Sequence, residues 1–208
     1  MIMTLPNQLS ALRIILTPVF VTTFYAENIY LKYTSFAIFI IASLTDYYDG
    51  FIARRYGITS NWGRFLDPLA DKILISTALI VFALSGVVEF WMVLTIIIRD
   101  AIITALRTYA MFKGKPIVTS YLAKAKTFSQ LTIIYLVFIF ILLEKTFAFY
   151  NISSQALEKI VSWNLIPAAI LFVTILTVIS GIKYMFENRD HIKSMILDFY
   201  RAIVPSDL

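Results

Sequence analysis

The chain has 208 residues, of which 60% are hydrophobic and 15% charged, with a formal net charge of +5, and its mean hydropathy is +0.81. Soluble domains carry roughly 25% charge, so this composition excludes an ordinary soluble globular domain. The absence of cysteine excludes a disulfide framework and a thiolate metal site, and the single histidine, His191, excludes any mechanism that needs two.

In chain order, the first residues, MIMTLPNQLSALR, lack a basic n-region and lead into a long apolar run, so no cleavable signal is expected. A membrane-spanning helix needs about 20 apolar residues. Six runs qualify: 8–26, 34–54, 67–87, 90–112, 120–143 and 162–186. Short polar connections separate them, the longest being EKTFAFYNISSQALEK after the fifth. Backbone groups in lipid must bond within their own segment, and no period-two alternation suits a barrel. With no internal repeat, the expectation is one all-α integral membrane domain over 1–208, with six transmembrane helices. The tail, HIKSMILDFYRAIV, has roughly helical apolar spacing. It suits an amphipathic helix lying in the membrane interface, and equally a frayed terminus.

The loop charges set the expected orientation. Arg54, Arg55 and Arg64, then Lys113, Lys115, Lys124 and Lys126, then Lys183, Arg189, Lys193 and Arg201 fall on one side. The other side holds Lys32, Lys145 and Lys159, balanced by Glu27, Glu89, Glu144 and Glu158. The positive-inside rule places both termini and the 54–64 loop in the cytoplasm. A multi-pass protein of the plasma membrane is expected, with a basic cytoplasmic face that attracts anionic headgroups and phosphorylated solutes.

Residues 46–71 read DYYDGFIARRYGITSNWGRFLDPLAD. Four carboxylates here interrupt a greasy chain, and a buried carboxylate without a partner is costly. Asp46 and Asp49 are three apart and Asp67 and Asp71 four apart, so each pair shares a helix face. Two helices joined by a loop can bring the faces together. All-oxygen donor sets suit hard divalent cations such as Mg²⁺ or Mn²⁺, and the lack of nearby histidine and cysteine argues against zinc. Gly50, Ala53 and Gly63 leave room for a ligand to approach the backbone. Arg54 suits phosphate oxygens. Metal, arginine and clear backbone together form a phosphate-handling arrangement. The plainer alternative is that acidic residues at helix ends face water or pair with neighbouring arginines.

These residues resemble the signature of the CDP-alcohol phosphatidyltransferase family, D-x-x-D-G-x-x-A-R, eight residues, G-x-x-x-D-x-x-x-D. Asp46, Asp49, Gly50, Ala53, Arg54, Gly63, Asp67 and Asp71 match all eight positions. PNQLSALRIILTP, with Asn7, Arg13 and Pro18, is similar to the family's N-terminal segment. IIRDAIITALR and AKAKTFSQ resemble the phosphatidylglycerophosphate synthase branch through Arg99, Asp100, Leu106, Arg107, Lys124 and Lys126. Ala123 departs from a glycine common there.

The resemblance implies transfer of the phosphatidyl group of CDP-diacylglycerol to sn-glycerol 3-phosphate, with release of CMP. It implies six transmembrane helices, a homodimer, a site open to cytoplasm and lipid, and no nucleic-acid partner. It also implies two divalent ions, one held by Asp46, Asp49 and Asp67 and one by Asp46, Asp67 and Asp71, with Asp71 as the base. Asn7, Asp49, Gly50, Ala53, Arg54, Ser60 and Gly63 would bind the donor, Ser60 by family position alone; Asn7 could instead simply begin a helix. Arg107, Lys124 and Lys126, then Arg99, would bind the acceptor phosphate. Adjacent helical residues point about 100° apart, so Arg99 pairs awkwardly with Asp100, whereas Asp100 and Arg107, seven apart, are nearly aligned. Lys124 and Lys126 cannot share a helix face, so one could merely snorkel to lipid phosphates. Two other functions compete: the same chemistry on another alcohol, such as phosphatidylglycerol in a cardiolipin synthase, or divalent-cation transport. Against transport, the carboxylates lie near one membrane face, and no paired broken helices are visible.

Overall fold

The computed structural model describes residues 5–56, 63–114, 117, 121–153 and 155–203, and their side chains except at 5, 6, 47, 49–56, 63–68, 156 and 199–203. Every element among the described residues is a helix: α1 Leu5–Tyr25, α2 Ile29–Tyr56, α3 Gly63–Leu84, α4 Phe90–Phe112, α5 Tyr121–Phe149, α6 Gln155–Ser162, α7 Leu165–Glu187 and α8 Arg189–Ile203. Six long helices therefore stand where six apolar runs predict them.

The differences lie at the ends, where local hydrogen bonding overrides hydropathy. Helix α5 runs past the expected end at 143 to Phe149, then stops in a Schellman turn. Ile152 N–H bonds the Phe147 carbonyl at 2.9 Å and Asn151 N–H that of Ala148 at 3.3 Å, with Asn151 at φ +54°. The α3 terminus repeats the motif with Gly86 at φ +73°, where Val87 N–H bonds Phe82 O at 3.1 Å. The polar stretch after α5 contains α6, which apolar run length could not reveal. The tail is helical as α8.

By length and composition, four of the helices among the described residues can cross a membrane: 7–25, 29–46, 121–149 and 165–187. Helices α3 and α4 are of similar length, but their charges, Arg64, Asp67, Asp71 and Lys72 on one and Arg99, Asp100 and Arg107 on the other, leave neither an 18-residue stretch with two charges or fewer.

Neighbouring helices form a closed ring, α2–α3–α4–α7–α5 and back to α2, with α1 packed across α2 and α3 and α8 laid on α4 and α7. At the end of the ring away from the aspartates, Phe138 of α5 is an aromatic hub. Its ring centroid lies 4.9 Å from Phe36, 5.6 Å from Phe24, 5.7 Å from Phe82, 5.9 Å from Phe20 and 6.0 Å from Phe39. These contacts tie α1, α2, α3 and α5 together. Lipid is as apolar as the core, so such close van der Waals packing takes over the role that water exclusion plays elsewhere. The outer surface is apolar, with Ile15, Ile41, Phe172, Ile175 and Ile179 all exposed.

Candidate active site

Helices α2 and α3 are consecutive and packed together, so the end of α2 and the start of α3 lie at one end of the ring. Asp46 is ten residues from the α2 terminus and Asp71 eight from the α3 start. At 1.5 Å per residue these are about 15 and 12 Å, so the two carboxylates stand at similar depth. Buried Arg13 of α1 pairs with Asp46, Nη1 to Oδ1 at 2.9 Å, while its Nε donates to the Ala42 carbonyl at 3.2 Å. The arginine thus grips α2 and fixes one carboxylate oxygen. Asn7 is buried in the first turn of α1.

Asp46 remains 45% exposed and Asp71 29% exposed. Both are open, oxygen-only donors, and that chemistry fits a hard divalent cation. Among the described residues no three acidic or histidine side chains gather into an ion-sized cluster. The side chains of Asp49, Gly50, Ala53, Arg54, Gly63 and Asp67 lie outside the described set, although their backbones belong to α2 and α3; Ser60 lies wholly outside it.

Beside Asp71 opens a cleft of about 410 Å³ lined by Lys72 of α3, Arg99, Asp100 and Arg107 of α4, and Lys124 and Thr127 of α5. It exists because α4 and α5 each pack on α3 and α7 rather than closely on one another. Three of the four residues expected at the acceptor phosphate, Arg99, Arg107 and Lys124, line it. The fourth, Lys126, is turned to the other face of α5 and is fully buried. Its ammonium reaches Asp100 Oδ1 at 2.5 Å and Oδ2 at 2.7 Å, and it also bonds Gln130.

Asp100 is therefore the hub of a cation cluster rather than a support for Arg107. Besides Lys126 it meets Arg99 Nη1 at 3.1 Å and Lys72 Nζ at 3.6 Å. The Arg99–Asp100 contact corrects the expectation from backbone angles alone: a long arginine side chain spans the 100° that separates adjacent residues. Arg107 instead stacks on Tyr184 of α7, 5.5 Å from the ring centroid. The buried Nε atoms of Arg99 and Arg107 find no acceptor among the described residues.

Lys72 and Gln130 were missed in the sequence. Lys72 directly follows Asp71 and is 3.7 Å from it as well as close to Asp100. A charge within an apolar run is by default a functional candidate, and that signal was available. Gln130 lies four residues beyond Lys126, the spacing at which helical side chains meet.

The fold defines an all-helical protein with helices suited to crossing a membrane. The site defines one that sets open carboxylates beside a cleft of clustered cations. The chain belongs to the CDP-alcohol phosphatidyltransferase family, whose sequence model matches residues 3–176. A Bacillus subtilis (strain 168) protein named CDP-diacylglycerol--glycerol-3-phosphate 3-phosphatidyltransferase is 33% identical over 202 residues, covering 91% of this chain and 97% of that protein. Proteins of the same name from Salmonella paratyphi A and Rickettsia bellii are 38% and 35% identical over 132 and 127 residues. Each alignment covers 61% of this chain, and 72% and 70% of the respective relatives.

Proposed function

We propose that the protein transfers the phosphatidyl group of CDP-diacylglycerol to sn-glycerol 3-phosphate, giving phosphatidylglycerophosphate and CMP in phospholipid synthesis. The observation that carries the acceptor is the cleft. Lys72, Arg99, Arg107 and Lys124 face it with one carboxylate, Asp100, among them, and Asp100 is already committed to Lys126. Such an excess of positive charge suits a compact phosphate dianion, and arginine forks bind phosphate oxygens in pairs. Asp71 is linked to this cleft through Lys72, which lines it and stands 3.7 Å from the Asp71 carboxylate.

In the reaction, a free hydroxyl of glycerol 3-phosphate attacks the phosphorus that bears diacylglycerol. A new P–O bond forms there as the bond to CMP breaks, and Asp71 accepts the hydroxyl proton. Arg99, Arg107, Lys124 and Lys72 hold the acceptor's own phosphate and so orient the hydroxyl. Asp46, Asp49, Asp67 and Asp71 would hold two divalent ions, Mg²⁺ or Mn²⁺, which when bound offset the diphosphate charge and stabilise departing CMP. Asn7, Asp49, Gly50, Ala53, Arg54, Ser60 and Gly63 would receive the cytidine diphosphate. Arg13, paired with Asp46 at 2.9 Å, would hold that carboxylate in place.

On this reading α1–α5 and α7 all cross the plasma membrane, with the termini and the site on the cytoplasmic side and the protein working as a homodimer. Support comes from α4, whose charged residues turn inward while Trp91, Leu94, Ile98 and Ile102 are exposed. The test is CMP release by purified protein from CDP-diacylglycerol with Mg²⁺. Release that depends on glycerol 3-phosphate supports the assignment. Release with phosphatidylglycerol instead would make it a cardiolipin synthase, and metal flux in proteoliposomes without CMP release would make it a transporter.

A further inference from the structure

Arg99 is held by α7, and the hold is specific. Its Nη2 donates to Ser180 Oγ at 2.8 Å, while the same hydroxyl bonds the Thr177 carbonyl at 3.1 Å. A hydroxyl has one proton to give. With that proton on Thr177, the Ser180 oxygen is left as an acceptor aimed at the guanidinium. The next residue, Gly181, supplies the space. A Cβ placed there would stand 3.0 Å from Arg99 Cγ and 3.2 Å from Nε, inside ordinary van der Waals distance. The stem of Arg99 therefore lies against bare α7 backbone. On its far side is an apolar groove of about 320 Å³ lined by Ile98, Ile102, Val178, Gly181 and Ile182. Arg99 is thus the wall between this groove and the cationic cleft, and its position decides the shape of both.

We infer that Ser180 and Gly181 are positioning residues for the acceptor site: the hydroxyl and the missing side chain together set where the Arg99 guanidinium stands. Both lie past residue 176, the last position matched by the family model. The inference rests on the proposed acceptor role of Arg99. In this arrangement Asp100 on one side and Ser180 on the other fix the guanidinium plane, and preorganisation of this kind is what a phosphate clamp requires.

The test is a kinetic double-mutant cycle on purified protein. Ser180→Ala and Gly181→Ala should each raise the KM for glycerol 3-phosphate about tenfold, the scale of one charge-assisted hydrogen bond. The donor KM and kcat should stay within about twofold. Ser180→Thr, which retains the hydroxyl, should recover most of the loss. In an Arg99→Ala background both substitutions should become silent, because there is no guanidinium left to place. Unchanged acceptor KM in both single variants would overturn the inference. So would equal losses on donor and acceptor, or effects that persist in the Arg99→Ala background, since each describes a purely structural role. A failure of the acceptor assignment itself would show separately, as CMP release by the unaltered protein that ignores glycerol 3-phosphate. The cycle is then run with the alcohol that does release CMP, and coupling of Ser180 and Gly181 to Arg99 is judged by the same criteria.

Discussion

The buried pair of Asp100 and Lys126 offers the sharpest test of how the site is built. Their side chains are 5% and 1% exposed, and the carboxylate is bonded through both oxygens by the ammonium at 2.5 and 2.7 Å. Asp100→Asn preserves shape but removes the only carboxylate that contacts Lys126 and Arg99 among the described residues, and one of the two, with Asp71, that contact Lys72. Breaking a buried pair by neutralising one partner costs about 3–5 kcal/mol, because the other charge is left uncompensated. For a chain of this length each kcal/mol shifts Tm by about 2–4 °C, so the fall should be about 6–20 °C. Thermal unfolding in detergent at one scan rate measures it. Adding Lys126→Met should recover at least half the loss, since no stranded charge remains. A shift under about 2 °C for Asp100→Asn, or a double variant less stable than the single one, would refute the reasoning.

Asp71→Asn should reduce CMP release with glycerol 3-phosphate to near zero while leaving Tm within a few degrees; wild-type turnover would remove Asp71 from the mechanism. Arg107→Ala removes a cation that is stacked on Tyr184 rather than paired with a carboxylate, so it should raise the acceptor KM about tenfold or more, by the loss of a charged hydrogen bond, and leave the donor KM unaltered. The chain has no cysteine, so single cysteines report topology on a clean background. A membrane-impermeant maleimide should label Glu89→Cys from outside intact cells and leave Ile98→Cys unreactive, and labelling at Ile98 would take α4 out of the bilayer.

The long helices were legible because apolar length is the dominant signal in such a chain, and α4 falls on its expected span, 90–112. What hydropathy could not carry was local hydrogen bonding. The Asn151 turn that ends α5 and the short α6 behind it depend on backbone geometry within an otherwise polar stretch. In the site, the sequence marked Arg99, Arg107 and Lys124 as companions, and they do share a cleft. It could not tell which carboxylate serves which cation. Asp100 is aligned with Arg107 along α4, yet the partner it takes is Lys126, brought from α5 by tertiary packing. Spacing along one helix says nothing about a residue 26 positions away. Ser180 and Gly181 were hidden for the same reason, since their meaning appears only when α7 lies against Arg99.

Helix α4 shows why the polar cluster is there at all. On the proposed reading in which α4 crosses the bilayer, each charged residue facing lipid at its middle would cost about 2.5–3.5 kcal/mol on an insertion scale, and α4 carries three within nine positions. They are tolerable because Asp100 is buried against Lys126 and Arg99, while the exposed face of the helix is Trp91, Leu94, Ile98 and Ile102. Tolerance is not a reason for their presence, though. A buried ion pair is commonly no more stable than well-packed apolar residues of the same volume, so stability alone would favour a greasy α4. Nor does pairing account for the stoichiometry. Lys72, Arg99, Arg107, Lys124 and Lys126 lie in or behind the cleft with Asp100 among them and Asp71 3.7 Å from Lys72, leaving an excess of three positive charges. A ligand that brings its own negative charge resolves that imbalance. The phosphate dianion proposed for this cleft would offset two of the three.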